Sequence, residues 1–230
     1  MASRPYNLAI ETSARRGSIS LGHDDRLIDQ VELVQPHRHN IELTPAIDEL
    51  LRRYHVPPAE LGEVYLSIGP GSFTGLRIAV ATAKMLALVL DVRIVAVPTL
   101  QVVVANAPVQ YPHVAVGLNT KRNHMYTGIF SHLDGRWQLT RGPDLLTAEQ
   151  VCNDTVRPLA VLGDHLPDYA WPDYVTVLDS RLALPCSNVV WRLARAGGRS
   201  FVDPLSLIPL YAREPEAAVL WRKRQAKRVV

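Results

Sequence analysis

Residues 64–97, VYLSIGPGSFTGLRIAVATAKMLALVLDVRIVAV, decide the fold class. Val64 to Ile68 is a short, almost wholly apolar run, as expected of a strand buried on both faces. Gly69-Pro70-Gly71 breaks that run, a helix is expected from about Thr74 to Leu90, and Arg93 to Val97 reads as the next strand. Strand, helix and strand in this order place a crossover helix over a sheet.

Upstream, residues 6–12, 17–22 and 26–34 read as three strands separated by polar turns, a β-meander. A helix is expected from about Asn40 to Tyr54, with Ile41, Ile47, Leu50, Leu51 and Tyr54 at three- and four-residue spacings and Pro57-Pro58 closing it. Downstream the chain opens again with strands at 113–118, 124–130 and 136–139, the last pair joined by Asp134-Gly135. Thr147 to Gln150 has capping-box spacing, Leu159 to Leu162 and Tyr174 to Leu178 read as short buried strands, and Ser187 is expected to cap a helix that Gly197-Gly198 ends. The second half therefore reads as a looser copy of the first. The division is an α/β lobe over 1–105, a smaller lobe over 106–205, a returning segment over 206–220 and a basic tail over 221–230.

Composition narrows the function classes. Of the 230 residues, 47% are hydrophobic and 20% charged, which suits a folded core rather than a disordered chain. The net charge of +3 sits in the tail: Arg222, Lys223, Arg224, Lys227 and Arg228 carry five positive charges, which leaves the rest of the chain near −2. That tail reads as a solvated terminus, with a phosphate-binding arm as the alternative. Cys152 and Cys186 form no paired motif and no apolar leader follows Met1, so a reducing cytoplasm is expected. Ile78 to Leu90 is interrupted by Lys84 and falls short of the ~20 residues that span a bilayer, so no membrane role is expected.

Two features could carry chemistry or recognition. Gly69-Pro70-Gly71-Ser72-Phe73-Thr74-Gly75 lies between a strand and a helix, where free N–H groups and the helix dipole can hold an anion. It is neither a Walker loop nor GxGxxG, and a tight turn whose glycines permit positive φ is the ordinary reading. In the helix that follows, Gly75, Ala79, Ala83 and Ala87 form a stripe of small side chains, and most of the remaining surface is apolar. Such a helix must be covered on every side, by this chain or by another. His37 and His39 are the densest histidine pair, but their spacing and the lack of a third ligand argue against a metal. No serine or threonine sits in a GxSxG elbow.

Residues 8–13 (LAIETS), 68–77 (IGPGSFTGLR), 82–87 (TAKMLA) and 209–215 (PLYAREP) together resemble the TsaB/YeaZ family. So do His39-Asn40, Leu43, Pro45, Ile47, Asp48 and Glu49 in the first helix, and Gly163-Asp164 in the second lobe. The resemblance implies a two-lobed actin/Hsp70-like (ASKHA, ribonuclease H-like) fold. It also implies a non-catalytic scaffold subunit that works with a TsaD-type catalytic subunit and a TsaE-type ATPase. That complex places threonylcarbamoyl on adenosine in tRNAs reading ANN codons. ATP and a metal would be used on the TsaD-type partner, with no cofactor on this chain, and tRNA would be met through the complex. The contact elements transferred by resemblance are the two helices of the first lobe, with Ile47, Leu50, Leu51, Tyr54, Gly75, Ala79, Ala83 and Ala87 facing the partner, or a second copy in a homodimer.

The alternative is a kinase-like enzyme of the same fold that holds phosphate at Glu11, Thr12, Ser13, Gly69, Gly71 and Ser72. Charge weighs against it, since Glu11 is the one acid in these two loops to hold Mg²⁺. A stand-alone glycoprotease lacks both a metal set and a nucleophile–base pair. Asn119-Thr120-Lys121-Arg122 stands where the family usually has an Asp-Ala-Arg-Arg-like run, so the acid is replaced; Asn40 and Ala212 depart from the family's Ser and Leu.

Overall fold

The computed structural model describes residues 4–33, 39–119, 124–153, 157–164, 166, 169–212 and 221. Strands β1 (Tyr6–Glu11), β2 (Ser18–His23) and β3 (Arg26–Glu32) form the expected antiparallel meander. Helix α1 (His39–Arg53) leads to β4 (Leu61–Ser67), which pairs parallel to β1, and helix α2 (Phe73–Leu90) leads to β5 (Arg93–Val97), which pairs parallel to β4. Strand β4 begins three residues before the apolar run, because the ladder to β1 extends back to Tyr6↔Leu61.

After the short helix α3 (Thr99–Val104) come β6 (His113–Asn119), β7 (Met125–Leu133), β8 (Arg136–Leu146), α4 (Ala148–Asn153), β9 (Leu159–Leu162) and β10 (Val175–Val177). The first sheet runs β5-β4-β1-β2-β3 and the second β10-β9-β6-β7-β8, the same order with the same parallel and antiparallel neighbours. The second half is therefore a topological copy of the first. Between β9 and β10, however, no helix corresponds to α2 among the described residues. The capping box at α4 forms as read: the Thr147 N–H donates to Gln150 Oε1 at 2.9 Å, and the Gln150 N–H donates to Thr147 Oγ1 at 3.2 Å.

The chain returns to the first sheet earlier than residue 206. Helix α5 (Ser187–Ala196) packs across the face of β1, β2 and β4, and β11 (Phe201–Val202) adds antiparallel to β5. Ser187 is not the cap of α5: it is buried, its hydroxyl lies 2.7 Å from Ser20 Oγ, and its N–H donates to Ser18 Oγ at 2.9 Å. Trp191 Nε1 donates to Asn7 Oδ1, over Gly22, where a Cβ would collide with the indole.

Alternation along β1 divides the first lobe's core. Leu8 and Ile10 face α1 and α2 with Leu43, Leu50 and Ala79, while Ala9 faces α5 with Tyr65, Val190 and Trp191. Helix α3 links the lobes: Val102 packs with the first sheet, and Leu100, Val103 and Val104 pack with Val114, Val116 and Phe130 of the second.

Candidate functional site

The loop after β1 and the turn before α2 are hydrogen-bonded to each other. The Ser72 N–H donates to Ser13 O at 2.6 Å, Thr12 Oγ1 donates to Gly75 O at 2.8 Å, and Ser72 caps α2 by accepting from the Gly75 N–H at 3.2 Å. Beside them, the Thr99 N–H donates to Gly69 O at 2.8 Å and the Leu210 N–H to Ile68 O at 2.7 Å. The glycines allow this approach. A Cβ at Gly71 would strike Ser13 O and one at Gly75 would strike Thr12 O. Of the three, Gly69 alone has positive φ, +111°. Close approach of backbones, more than left-handed φ, is the reason for glycine here.

The amide of Ser72 that could have met a phosphate is thus spent on Ser13 O. Glu11 is wholly buried, and its Oε1 accepts the Ser13 N–H at 2.5 Å. Burial pushes its carboxyl above the ordinary carboxylate value, although hydrogen bonds from Ser13 pull the other way. A carboxyl biased toward its neutral form is a poor Mg²⁺ ligand. Thr12 and Gly69 are buried as well; Ser13 and Gly71 line a cleft of about 190 Å³ with Thr99, and with Leu118 and Asp164 of the second lobe. Among the described residues no three His, Cys, Asp or Glu side chains group as metal ligands. His37, Thr120, Lys121, Arg122 and Arg222 to Arg228 lie outside the described residues.

The helix residues divide differently from the sequence reading. Ile47, Leu50 and Leu51 are buried in the first lobe's core, and so are Ala79 and Ala83, while Gly75 is buried against Thr12 O; the stripe of small side chains is the side of α2 turned into the lobe. Ala87 is half-buried against the same core. These seven residues pack the chain internally, whereas Tyr54 is exposed and donates its hydroxyl to Asp29 Oδ2 at 3.0 Å. Towards its C-terminal end α2 leaves Met85, Leu88 and Val89 uncovered, with Leu88 86% exposed, and Ile41 of α1 is exposed as well. Their spacing of three and four residues marks a second helical face. Mean hydropathy of 1.7 over 18 residues makes α2 long and apolar enough to cross a membrane, yet five of its residues are buried inside this chain.

Residues 203–212, which sequence reasoning did not assign to this surface, run along α2. Lys84 Nζ donates to Leu205 O at 3.3 Å at one end of the contact. At the other, Arg77 lies 3.8 Å above the Phe73 ring and donates Nε–H to the Tyr211 hydroxyl at 3.0 Å. Leu205 and Ile208 remain exposed, so the segment enlarges the uncovered apolar surface.

Comparison with known proteins is consistent with this geometry. The family described as TsaD, tRNA N6-adenosine threonylcarbamoyltransferase, matches residues 8–158. A tRNA threonylcarbamoyladenosine biosynthesis protein TsaB of Bacillus subtilis is 30% identical over 68% of this chain and 69% of its own length. An uncharacterised Mycobacterium tuberculosis protein is 29% identical over 93% of this chain and 94% of that one. Among solved structures, YeaZ from Pseudomonas aeruginosa superposes with a TM-score of 0.72 at 25% identity, covering 90% of this chain and 99% of that one.

Proposed function

The chain belongs to the TsaB/YeaZ family, with its actin/Hsp70-like fold, and from that membership we propose that it serves tRNA threonylcarbamoyladenosine synthesis as a scaffold subunit without an active site of its own. Its partner in this reading is a TsaD-type catalytic subunit, assisted by a TsaE-type ATPase, in the cytoplasm. ATP, metal and tRNA are handled by the complex, and the chain pairs with itself when the partner is absent.

The observation that carries the proposal is a contrast within one lobe. The loops that could have held phosphate are hydrogen-bonded to each other around a buried carboxyl, while α2 keeps an apolar face that nothing among the described residues covers. Met85, Leu88 and Val89 would cost little to cover and much to leave in water, at roughly 25 cal/mol per Å² of apolar surface. Residues 8–158 of this chain match the family described as TsaD, so a TsaD-type partner would bring a helix in the place of α2, and two such faces would meet about a pseudo-twofold axis.

The test is co-purification with the TsaD-type subunit of the same organism. Leu88→Asp with Val89→Asp is expected to abolish it while the melting temperature of the isolated chain stays within ~2 °C of the parent, since both side chains are exposed. Retained co-purification would overturn the assigned surface. Saturable low-micromolar binding of Mg-ATP by the chain alone would favour the kinase-like alternative.

A further inference from the structure

At the opposite end of the first sheet from the glycine turn, the starts of β1, β4 and β5 frame a pocket of about 780 Å³. Four arginines line it: Arg4 ahead of β1, Arg93 at the start of β5, Arg195 on α5 and Arg199 just beyond it. The acids in and around it are Asp24, Asp25, Glu63 and Asp91. By count the charges balance. By geometry they do not.

Glu63 is the buried acid, 5% exposed, and its two oxygens are already in use. Oε1 accepts from Arg93 at 2.5 Å, and Oε2 accepts from the Tyr65 hydroxyl. Arg199 and Arg195 stand 3.6 and 3.8 Å from this carboxylate, beyond hydrogen-bond distance. Their remaining ionic partner is Asp25, whose side chain is 86% exposed, while Asp24 is exposed and pairs with His23 at 3.4 Å. Asp91 is exposed, and Arg4 is turned to the carbonyls of Leu90 and Asp91.

Arg195 is nevertheless 10% exposed at its side chain, and its Nε–H has no partner. Burial, with the Arg199 charge beside it, pulls Arg195 below the ordinary guanidinium value. A buried cation held by a solvated carboxylate is poorly compensated, and a second cation next to it makes matters worse.

We propose that this pocket binds a phosphate group, seated between Arg195 and Arg199 in place of the Asp25 carboxylate, with Arg4 and Arg93 at its rim. A planar carboxylate satisfies one guanidinium fork. The tetrahedral phosphate presents oxygens in several directions, and suits guanidinium groups approaching from separate elements. The volume leaves room for the rest of an ester. A phosphorylated small molecule and an RNA backbone share this chemistry.

The test is calorimetric titration of the full chain with pyrophosphate at constant ionic strength. Saturable binding is expected, weakened about tenfold or more by Arg199→Met and tightened by Asp25→Asn, which removes the competing carboxylate. Arg199 is partly exposed, so its variant should keep the parent's melting temperature without ligand, and Asp25→Asn supplies a gain that no folding defect can mimic. No saturable binding, or equal binding by Arg199→Met, or weaker binding by Asp25→Asn would overturn the proposal. A competition arm identifies the source. Displacement of pyrophosphate by tRNA, lost in Arg199→Met, assigns the pocket to RNA; no displacement assigns it to a small phosphate ester.

Discussion

Glu11 carries a pH signature. Its carboxyl is pushed above the ordinary carboxylate value, first by burial, so the folded chain holds this proton more tightly than the unfolded one. The stabilisation from that proton is complete below the unfolded value and is lost as pH rises through the folded one. Glu11→Gln keeps the shape and removes the titration. Melting temperatures measured from pH 5 to pH 8 should fall less steeply for the variant than for the parent, with roughly 2–4 °C for each kcal/mol involved. Parallel profiles would mean that Glu11 is ionised in the fold. The sequence marked Glu11 as the one acid of the two loops. It could not mark it as sealed, because the loop after β1 is closed by the Ser72 N–H donating to Ser13 O from the turn after the neighbouring strand β4. The glycines were legible as a special turn, yet close approach at Gly71 and Gly75 is a long-range fact that no local pattern contains.

At the scale of elements, α2 was read correctly in extent and with the wrong side outward. A stripe of small residues fits close packing against a helix or a sheet equally well, and periodicity alone does not say which. Burial shows that the stripe is turned into this chain, since Gly75 lies against Thr12 O and Ala79 and Ala83 are fully buried in the first lobe's core. Ala83→Leu should therefore overpack the core at a cost of ~1–3 kcal/mol and lower the melting temperature by roughly 2–12 °C. Thermal unfolding checks this, and an unchanged melting temperature combined with lost association would return the stripe to the interface. Helix α3 was missed. Its run Thr99-Leu100-Gln101-Val102-Val103-Val104 is rich in β-branched residues and reads locally as strand, but packing against both sheets overrides that preference. Ser187 was misread in the opposite sense, as a cap, because its partners Ser18 and Ser20 lie far away in the chain.

For the whole molecule, the repeat was visible as two strand-rich openings, and the common sheet order makes it explicit. The early return of the chain was not legible, since α5 looks like any amphipathic helix until the first sheet offers it Asn7 and Gly22. The molecule that results joins a sealed loop pair to an uncovered helix face, and the account holds that function resides in the face. The most direct measurement is the amount of threonylcarbamoyladenosine formed in tRNA by TsaD-type and TsaE-type subunits reconstituted with this chain. Glu11→Gln is expected to support the modification as the parent does, and Leu88→Asp with Val89→Asp to lose it. Loss with Glu11→Gln and full activity with the α2 variant would contradict the account.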